Sequence, residues 1–347
     1  MGFKNVLKAE LYKLAKAKAL IKVLVAMIII FIAITLLYSF LYNLIGGISI
    51  NGVEVDGQPT YVEIDEETVK EAEAACEQYK VVFDNEKPNV QLMDTTPYML
   101  KAQAAAYRYM YENHLDLNSV TLFGSSLNLS TNSYMMFIMQ TMSVVIMVYA
   151  MVSVIRLIAG ERNNGALKMQ LLRPISKDAM LFAKGLAVTI MSIALFIFIM
   201  IVAAIVGIIA YNFDAKTVLL IFNGASVHEI SALAEIFIYF IYYCSVIVIN
   251  IVLAMFLSTI IKKNEGMSIA FAMISVFVGS SIENILGYAF IGYAGFNVNA
   301  VWINAFTVNG PAMNYMNFYS MMGISIAWMA IMLVASVFSF RHTEIHN

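Results

Sequence analysis

The sequence predicts an all-α polytopic membrane protein with six transmembrane helices and a small α+β domain outside the membrane. Hydrophobic residues make up 61% of the 347 residues, and charged residues make up only 13%, against a usual fraction of about 25%. The mean hydropathy is +0.78. A soluble domain cannot hide this much apolar surface from water. The composition also excludes a disordered chain, a disulfide scaffold and a basic nucleic-acid-binding module.

The six helices are predicted from six long apolar runs. A helix needs roughly 20 apolar residues to cross the hydrocarbon core, because no backbone group can stay unpaired in lipid. The runs cover residues 23–45, 134–158, 185–211, 232–261, 266–290 and 319–340. An even number of crossings places both termini on the same side of the membrane.

The orientation follows from the positions of the basic residues. Lysine and arginine are concentrated in residues 1–22 and around the connection between the second and third runs. Acidic residues are concentrated in the connections on the opposite side. Basic connections stay in the cytosol, so we predict cytosolic N- and C-termini and a multi-pass protein of the plasma membrane.

The only large polar segment, residues 46–133, predicts a small extracytoplasmic domain. Asn51 and Gly52 separate two short apolar stretches, which favours a hairpin because both residues adopt the positive φ angles of a tight turn. Apolar residues recur at helical spacing over 65–83, which predicts an amphipathic helix. Thr96 and Pro97 predict the start of a second helix, since proline is favoured in a first helical turn.

Residues 161–177 are the most informative stretch between the second and third runs. A short apolar stripe is followed by Pro174, which does not continue a helix, and Ser176 then predicts the cap of the next helix. This predicts a short helix across the membrane surface. Two interpretations stay open: the helix docks into a groove on a soluble partner, or it only anchors the connection at the interface.

These residues resemble the coupling region of type-2 ATP-binding-cassette (ABC) permeases, the exporter class sometimes called type V. The family pattern has an acid, Gly-Thr-Leu, Leu-Leu, a proline, a serine and a basic residue. The matching positions here are Glu161, Gly165, Leu167, Leu171, Leu172, Pro174, Ser176 and Lys177, with Arg173 beside them. Ala166 stands in place of the common threonine, and Lys177 stands where arginine is frequent. The resemblance implies a cytosolic coupling helix at about residues 160–178.

The N-terminal segment, residues 1–22, resembles the amphipathic connecting helix that precedes the first span in the same family. Its apolar side chains share one face and lysines occupy the other. The residues that carry this likeness are Leu7, Glu10, Leu11, Lys13 and Leu14.

The resemblance implies a transport subunit that pairs with separate ABC ATPases and with a second permease chain, identical or related. No phosphate-binding loop of the form G-x-x-x-x-G-K-[ST] occurs in the sequence, so ATP and Mg are expected on the ATPase and no cofactor on this chain. The expected substrate is a hydrophobic or cationic peptide, drug or lipid. In this interpretation the chain is not an enzyme.

A few polar residues within or beside the spans are candidates for a substrate path or gate. Intramembrane polar groups often face a cavity, although helix-to-helix contacts or an interfacial position would also explain them. In residues 284–318, a glycine-rich and aromatic stretch, similar permeases have a re-entrant segment, and an aromatic belt is the alternative. The candidates are Gln140, Glu235, Asn250, Glu283 and Tyr288.

Three other function classes are alternatives to a permease subunit. A membrane-embedded enzyme needs convergent polar groups, but the four histidines are scattered and no metal site is expected; the stretch around His228 is predicted to be a loop. A secondary transporter would show inverted repeats and broken helices, which are not evident. A peptide-sensing or immunity protein that uses the 46–133 domain stays open.

Overall fold

The computed structural model describes residues 3–16, 18–45, 64–78, 96–115, 120–121, 131–167, 176–210, 218–222, 227–261, 264–277 and 318–342. The helices are α1 Phe3–Lys16, α2 Lys18–Ile45, α3 Glu66–Gln78, α4 Thr96–Glu112, α5 Thr131–Ile155, α6 Glu161–Asn163, α7 Lys177–Ala210, α8 Ala232–Ile260, α9 Glu265–Phe277 and α10 Phe318–Arg341. A π-helical segment, Arg156–Gly160, continues α5 into α6. The strands are β1 Val120–Thr121, β2 Val218–Phe222 and β3 Val227–Ser231.

Four of these helices are long and apolar enough to cross a membrane, which confirms the helical membrane class predicted from composition. The spans are Leu20–Phe40, Tyr134–Asn163, Lys177–Ala210 and Ile236–Ile260. Two shorter apolar helices, Glu265–Ile274 and Ile326–Arg341, fall on the fifth and sixth predicted runs. Residues 278–290 of the fifth run lie outside the described residues, so the count of six spans and the orientation stay predictions.

Helix α5 lies at the centre of the membrane part. In the apolar stretch of α5, 61% of the residues are buried, whereas only 11% are buried in the apolar stretch of α2. The α5 side chains share one core with α7 and α8, which includes Ile146, Phe196 and Ile247, all fully buried. The side chains of α2 largely face outward, where lipid rather than water is the matching solvent.

The contact between α5 and α7 is close because α7 carries a glycine there. A Cβ on Gly207 would lie 2.9 Å from Cγ2 of Thr131 and 3.2 Å from Cδ1 of Tyr134. The Thr131 hydroxyl donates to the Gly207 carbonyl at 3.1 Å. The Tyr134 hydroxyl also shares a 2.9 Å hydrogen bond with the Thr35 hydroxyl. The start of α5 therefore packs directly against the backbone at the end of α7, and it forms a hydrogen bond to α2.

We expect Gly207→Val to lower the free energy of unfolding by about 1–3 kcal/mol, because added methyl groups overpack a closed contact. Denaturant titration of the full chain in detergent, followed by circular dichroism, measures this. The neighbouring change Ile208→Val is the control, since Ile208 is 58% exposed. Equal stability of the two variants would contradict a tight contact at Gly207.

The polar region at the far end of α7 contains both helices and strands. Helix α4 starts at Thr96 as the sequence predicts, and α3 covers Glu66–Gln78 of the predicted 65–83 helix, whose last residues lie outside the described part of the chain. A small apolar core joins α3, α4 and the sheet through Val69, Met110 and Leu220. The predicted hairpin around Asn51 lies outside the described residues.

The sheet is not confined to the 46–133 segment. β2 is its central strand, parallel to β1 with Val120 opposite Val218 and antiparallel to β3 with Leu219 opposite Ile230. Two of the three strands therefore come from the connection between α7 and α8. The prediction of a loop at His228 is wrong, because Val227 and His228 belong to β3, where pairing with β2 satisfies their backbone groups.

Candidate functional site

The predicted coupling segment, residues 161–177, begins with a short helix that a glycine interrupts. Helix α6 has 3 residues, and Gly165 then adopts φ 73°, a left-handed conformation that glycine tolerates and that ends a helix. Ala166 and Leu167 are helical again, so Gly165 separates two helical stretches. Leu167 packs into the membrane core at 4% exposure. Leu171, Leu172, Arg173 and Pro174 lie outside the described residues.

The π-helical segment joins α5 to α9 just before the coupling segment. A Cβ on Gly160 would lie 2.9 Å from Oε2 of Glu265, so this glycine lets the α9 carboxylate approach the backbone. Glu265 also forms an ion pair with Arg156, with Nε to Oε1 at 3.5 Å. Single π turns in helices are frequent at functional sites.

A largely buried ion cluster ties α1 to α6 and to α7. Lys184 of α7 is fully buried and pairs with Glu161 of α6 and, at 3.4 Å from Nζ to Oε1, with Glu10 of α1. Lys13 of α1 is 2.9 Å from Oε1 of Glu161 and 3.1 Å from Oε1 of Glu10. Two carboxylates thus face two ammonium groups across three helices.

The cluster is electrically balanced, which makes burial of Lys184 and Glu10 tolerable, while Lys13 keeps 43% of its side chain exposed. An isolated ammonium taken out of water costs several kcal/mol, and only close opposite charges offset that cost. Burial by itself lowers the pKa of Lys13, but the carboxylates of Glu161 and Glu10 outweigh it and hold the pKa above its ordinary value. The ammonium of Lys13 is therefore charged at physiological pH.

The last turn of α8 is held by side chains from two other elements. Arg162, next to Glu161, donates from Nη2 to the carbonyl of Ile261 at 2.8 Å. Ser339 of α10 donates to the carbonyl of Thr259 at 3.0 Å. The last carbonyls of a helix lack partners within the helix, so α6 and α10 supply two of the missing donors.

The end of α10 is in turn bound to the start of α7. Arg341 donates from Nε to the two carboxylate oxygens of Asp178 at 2.8 and 3.1 Å, and its Nη2 contacts Asp178 as well. Lys177 donates to the carbonyl of Arg341 at 3.0 Å. The Ser176 hydroxyl accepts the Ala179 N–H at 3.3 Å, which is the helix cap that the sequence predicts.

Together these contacts close a circuit that we name the polar ring. It passes from α1 to α6, α8, α10 and α7 and back to α1. Its side chains are Glu10, Lys13, Glu161, Arg162, Asp178, Lys184, Ser339 and Arg341. Glu161, at one end of the coupling segment, belongs to the ring. Lys177, at the other end, bonds to the carbonyl of the ring residue Arg341.

Sequence reasoning identified only part of this ring. Glu10, Lys13 and Glu161 were expected to act in the connecting and coupling helices, and the structure brings the three together. The five others, Arg162, Asp178, Lys184, Ser339 and Arg341, were not singled out. The missed signal is Lys184, which lies within an apolar helix, where an ionisable residue is costly and points to a partner.

The candidate gate residues do not form one site in the described part of the chain. Gln140 is on the exposed side of α5. Asn250 is 2% exposed and donates to the Val246 carbonyl of its own helix at 2.8 Å. Glu235 lies in the first turn of α8, and Glu283 and Tyr288 lie outside the described residues. Over the ranges that the structure describes, no group of three or more His, Cys, Asp or Glu could hold a metal.

Comparison with known families gives one match. A family model described as "Protein of unknown function (DUF2705)" matches residues 99–346. The chain belongs to this family. The matched region runs from α4 to α10 and contains six of the eight ring side chains, while Glu10 and Lys13 of α1 precede it. No curated protein and no solved structure matches the chain.

Proposed function

We propose that the chain is the membrane-spanning permease subunit of an ABC exporter, driven by a separate ATPase that docks on the coupling segment. The likeness of residues 161–177 and 7–14 to that exporter class supports this, as do four membrane-spanning helices. The termini then lie in the cytosol of a plasma-membrane protein. ATP and Mg bind the ATPase, and a second permease chain completes the path.

The polar ring is the observation that carries the proposal. The coupling segment leads directly from α5 and α6 into α7, and both of its ends are bonded to the ring through Glu161 and Lys177. A force on the segment from a docked partner therefore reaches the two helices that it joins. Through the other ring contacts it also reaches α1, α8 and α10.

The buried charges make this end of the bundle move as a unit. Separating Lys184 from Glu10 and Glu161 would leave its fully buried ammonium without an opposite charge, at a cost of several kcal/mol. Separation of α1, α6 and α7 at this end is therefore disfavoured. Rigid-body movement of the joined helices is the response that remains, and such movements are a common form of switching.

The substrate that fits this proposal is a hydrophobic or cationic peptide, drug or lipid. An exporter of this kind needs no catalytic group of its own, because the chemistry of ATP hydrolysis belongs to the partner. The membrane chain contributes a path whose accessibility changes with the position of its helices.

Co-purification tests the proposal directly. The chain is expressed in membranes together with an ABC ATPase from the same genome, solubilised in detergent and captured by a tag. We expect the ATPase to be retained. The triple variant Leu171→Asp, Leu172→Asp and Arg173→Asp should reduce retention about tenfold or more, since every tenfold in affinity needs only ~1.4 kcal/mol and buried carboxylates cost more.

The matched control lies at the opposite end of α7. Glu66 and Lys70 on α3 form an exposed ion pair at 2.7 Å, so Glu66→Ala with Lys70→Ala should leave ATPase retention unchanged. Unreduced retention in the aspartate variant, or an equal loss in the control, would contradict docking at the coupling segment.

A further inference from the structure

The negative charge of helix α1 is buried and paired inside the structure. Glu10 is the only acid in the helix and is 3% exposed, because it faces Lys184 and Lys13 in the ion cluster. No carboxylate of α1 is therefore available to neutralise the lysines on its other side.

Those lysines form an outward stripe. Lys4, Lys8, Tyr12 and Lys16 recur every four residues, which places them on neighbouring positions of one helix face. The three lysines are exposed and have no acidic partner within the ranges that the structure describes. Tyr12 is 59% exposed, and the Lys16 ammonium lies 4.6 Å from the centre of its ring.

The stripe lies beside the point where the chain enters the membrane. One residue, Ala17, separates α1 from α2. The first turns of α2 carry an exposed lysine, Lys22, and the surface just beyond is apolar, with Val25 51% and Ile29 61% exposed. Lysine and tyrosine are typical of this level, where the hydrocarbon meets the headgroups.

From these observations we propose that the outward stripe of α1, formed by Lys4, Lys8, Tyr12 and Lys16, binds the phosphate groups of anionic phospholipids in the adjacent leaflet. Basic clusters immediately beside a membrane-spanning helix attract anionic lipid, and each lysine raises the affinity for such lipid about fivefold. The stripe adjoins the lipid-facing α2, and its unbalanced positive charge matches lipid phosphate. Bound headgroups would fix the outer face of α1 while the ion cluster holds its inner face.

This inference does not depend on the ATPase. It needs only that α2 crosses a bilayer and that α1 lies against the same leaflet. Anionic headgroups are the occupant that these observations favour, and a protein partner that covers the stripe is an outcome which the experiment can detect.

Quenching by brominated lipid tests the proposal on the full chain in vesicles. Tyr12→Trp is introduced where both native tryptophans are replaced, Trp302→Phe and Trp328→Phe. Vesicles contain either brominated phosphatidylglycerol or brominated phosphatidylcholine in a phosphatidylcholine background. We expect phosphatidylglycerol to bind beside this tryptophan at least about fivefold more strongly, and added salt should weaken the preference.

Two comparisons assign that preference to the lysines. Lys4→Gln, Lys8→Gln and Lys16→Gln together should bring the ratio close to one, and Lys8→Gln alone should give an intermediate ratio. A tryptophan substituted for Leu233, which is 66% exposed at the other end of the membrane part, should show no preference for anionic lipid.

Several results would overturn the proposal. A ratio near one for Tyr12→Trp, an unchanged ratio in the triple glutamine variant, or an equal preference at Leu233→Trp would each exclude an anionic-lipid site on α1. Loss of quenching at Tyr12→Trp when the co-purified ATPase is added would assign the stripe to a protein partner. ATPase capture by the coupling segment is measured separately, so failure of the lipid proposal leaves the proposed function standing, and the reverse also holds.

Discussion

Replacing Lys184 with methionine will lower the free energy of unfolding by about 3–5 kcal/mol. Methionine keeps the length of the side chain but removes the ammonium that faces Glu10 and Glu161. The Glu10 side chain is 4% exposed and that of Glu161 16% exposed, so water only partly replaces the lost ammonium, and Lys13 is left to face both carboxylates. Denaturant titration in detergent, with circular dichroism as the signal, measures the loss.

Two companion variants separate burial from charge. Lys16→Met removes the same charge at an exposed position of α1 and should change stability by less than about 0.5 kcal/mol. Adding Glu10→Gln to Lys184→Met removes one of the stranded carboxylates and should recover part of the lost stability. A loss below about 1 kcal/mol in Lys184→Met would mean that the ion cluster contributes little to this end of the bundle.

Replacing Phe196 with alanine has an expected cost of similar size, about 3–5 kcal/mol. Phe196 of α7 is fully buried. Its ring stacks on Phe240 of α8 with centroids 5.4 Å apart and meets Tyr243 edge-on at 6.4 Å. Truncation leaves a cavity in the contact between α7 and α8, and the surrounding helices cannot collapse fully to fill it.

The neighbouring phenylalanine supplies the control. Phe198 lies two positions along the same helix and is 54% exposed, so Phe198→Ala removes the same atoms without leaving a cavity. We expect its effect to stay within about 0.5 kcal/mol. Similar losses in the two variants, measured by the same titration, would contradict the assignment of Phe196 to a packed core.

Local patterns were enough to place most helices. The apolar runs predicted the four candidate spans, Thr96 predicted the first residue of α4, and Ser176 predicted the cap of α7. Each of these depends on residues that are close in the chain, where helix periodicity and capping chemistry act directly.

The remaining features depend on contacts that a single sequence does not encode locally. Lys184 and Glu10 are 174 positions apart, and nothing in either neighbourhood identifies the other as its partner. The strand Val218–Phe222 is a short apolar run, and only pairing with β1 and β3 distinguishes it from a loop or a helix end. The break between α6 and Ala166 is set by the positive φ of Gly165, a conformation that the apolar spacing does not reveal.

The candidate site shows the same division. Glu161 and Lys177 became candidates because residues 161–177 resemble the coupling region of type-2 ABC permeases, a pattern that is continuous in sequence. The ring that joins them to α8 and α10 uses backbone carbonyls of Thr259 and Ile261, whose availability depends only on where a helix ends. Side-chain chemistry alone therefore could not reveal them.

Site-specific photocrosslinking tests the central claim most directly. A photoreactive phenylalanine is placed at Leu171 in the coupling segment, and in a second chain at Glu71, an exposed residue of α3 at the opposite end of α7. We predict that illumination of membranes that also contain the co-expressed ABC ATPase links the ATPase to the first chain and not to the second. No ATPase adduct at Leu171, or an adduct at Glu71 instead, would contradict the account.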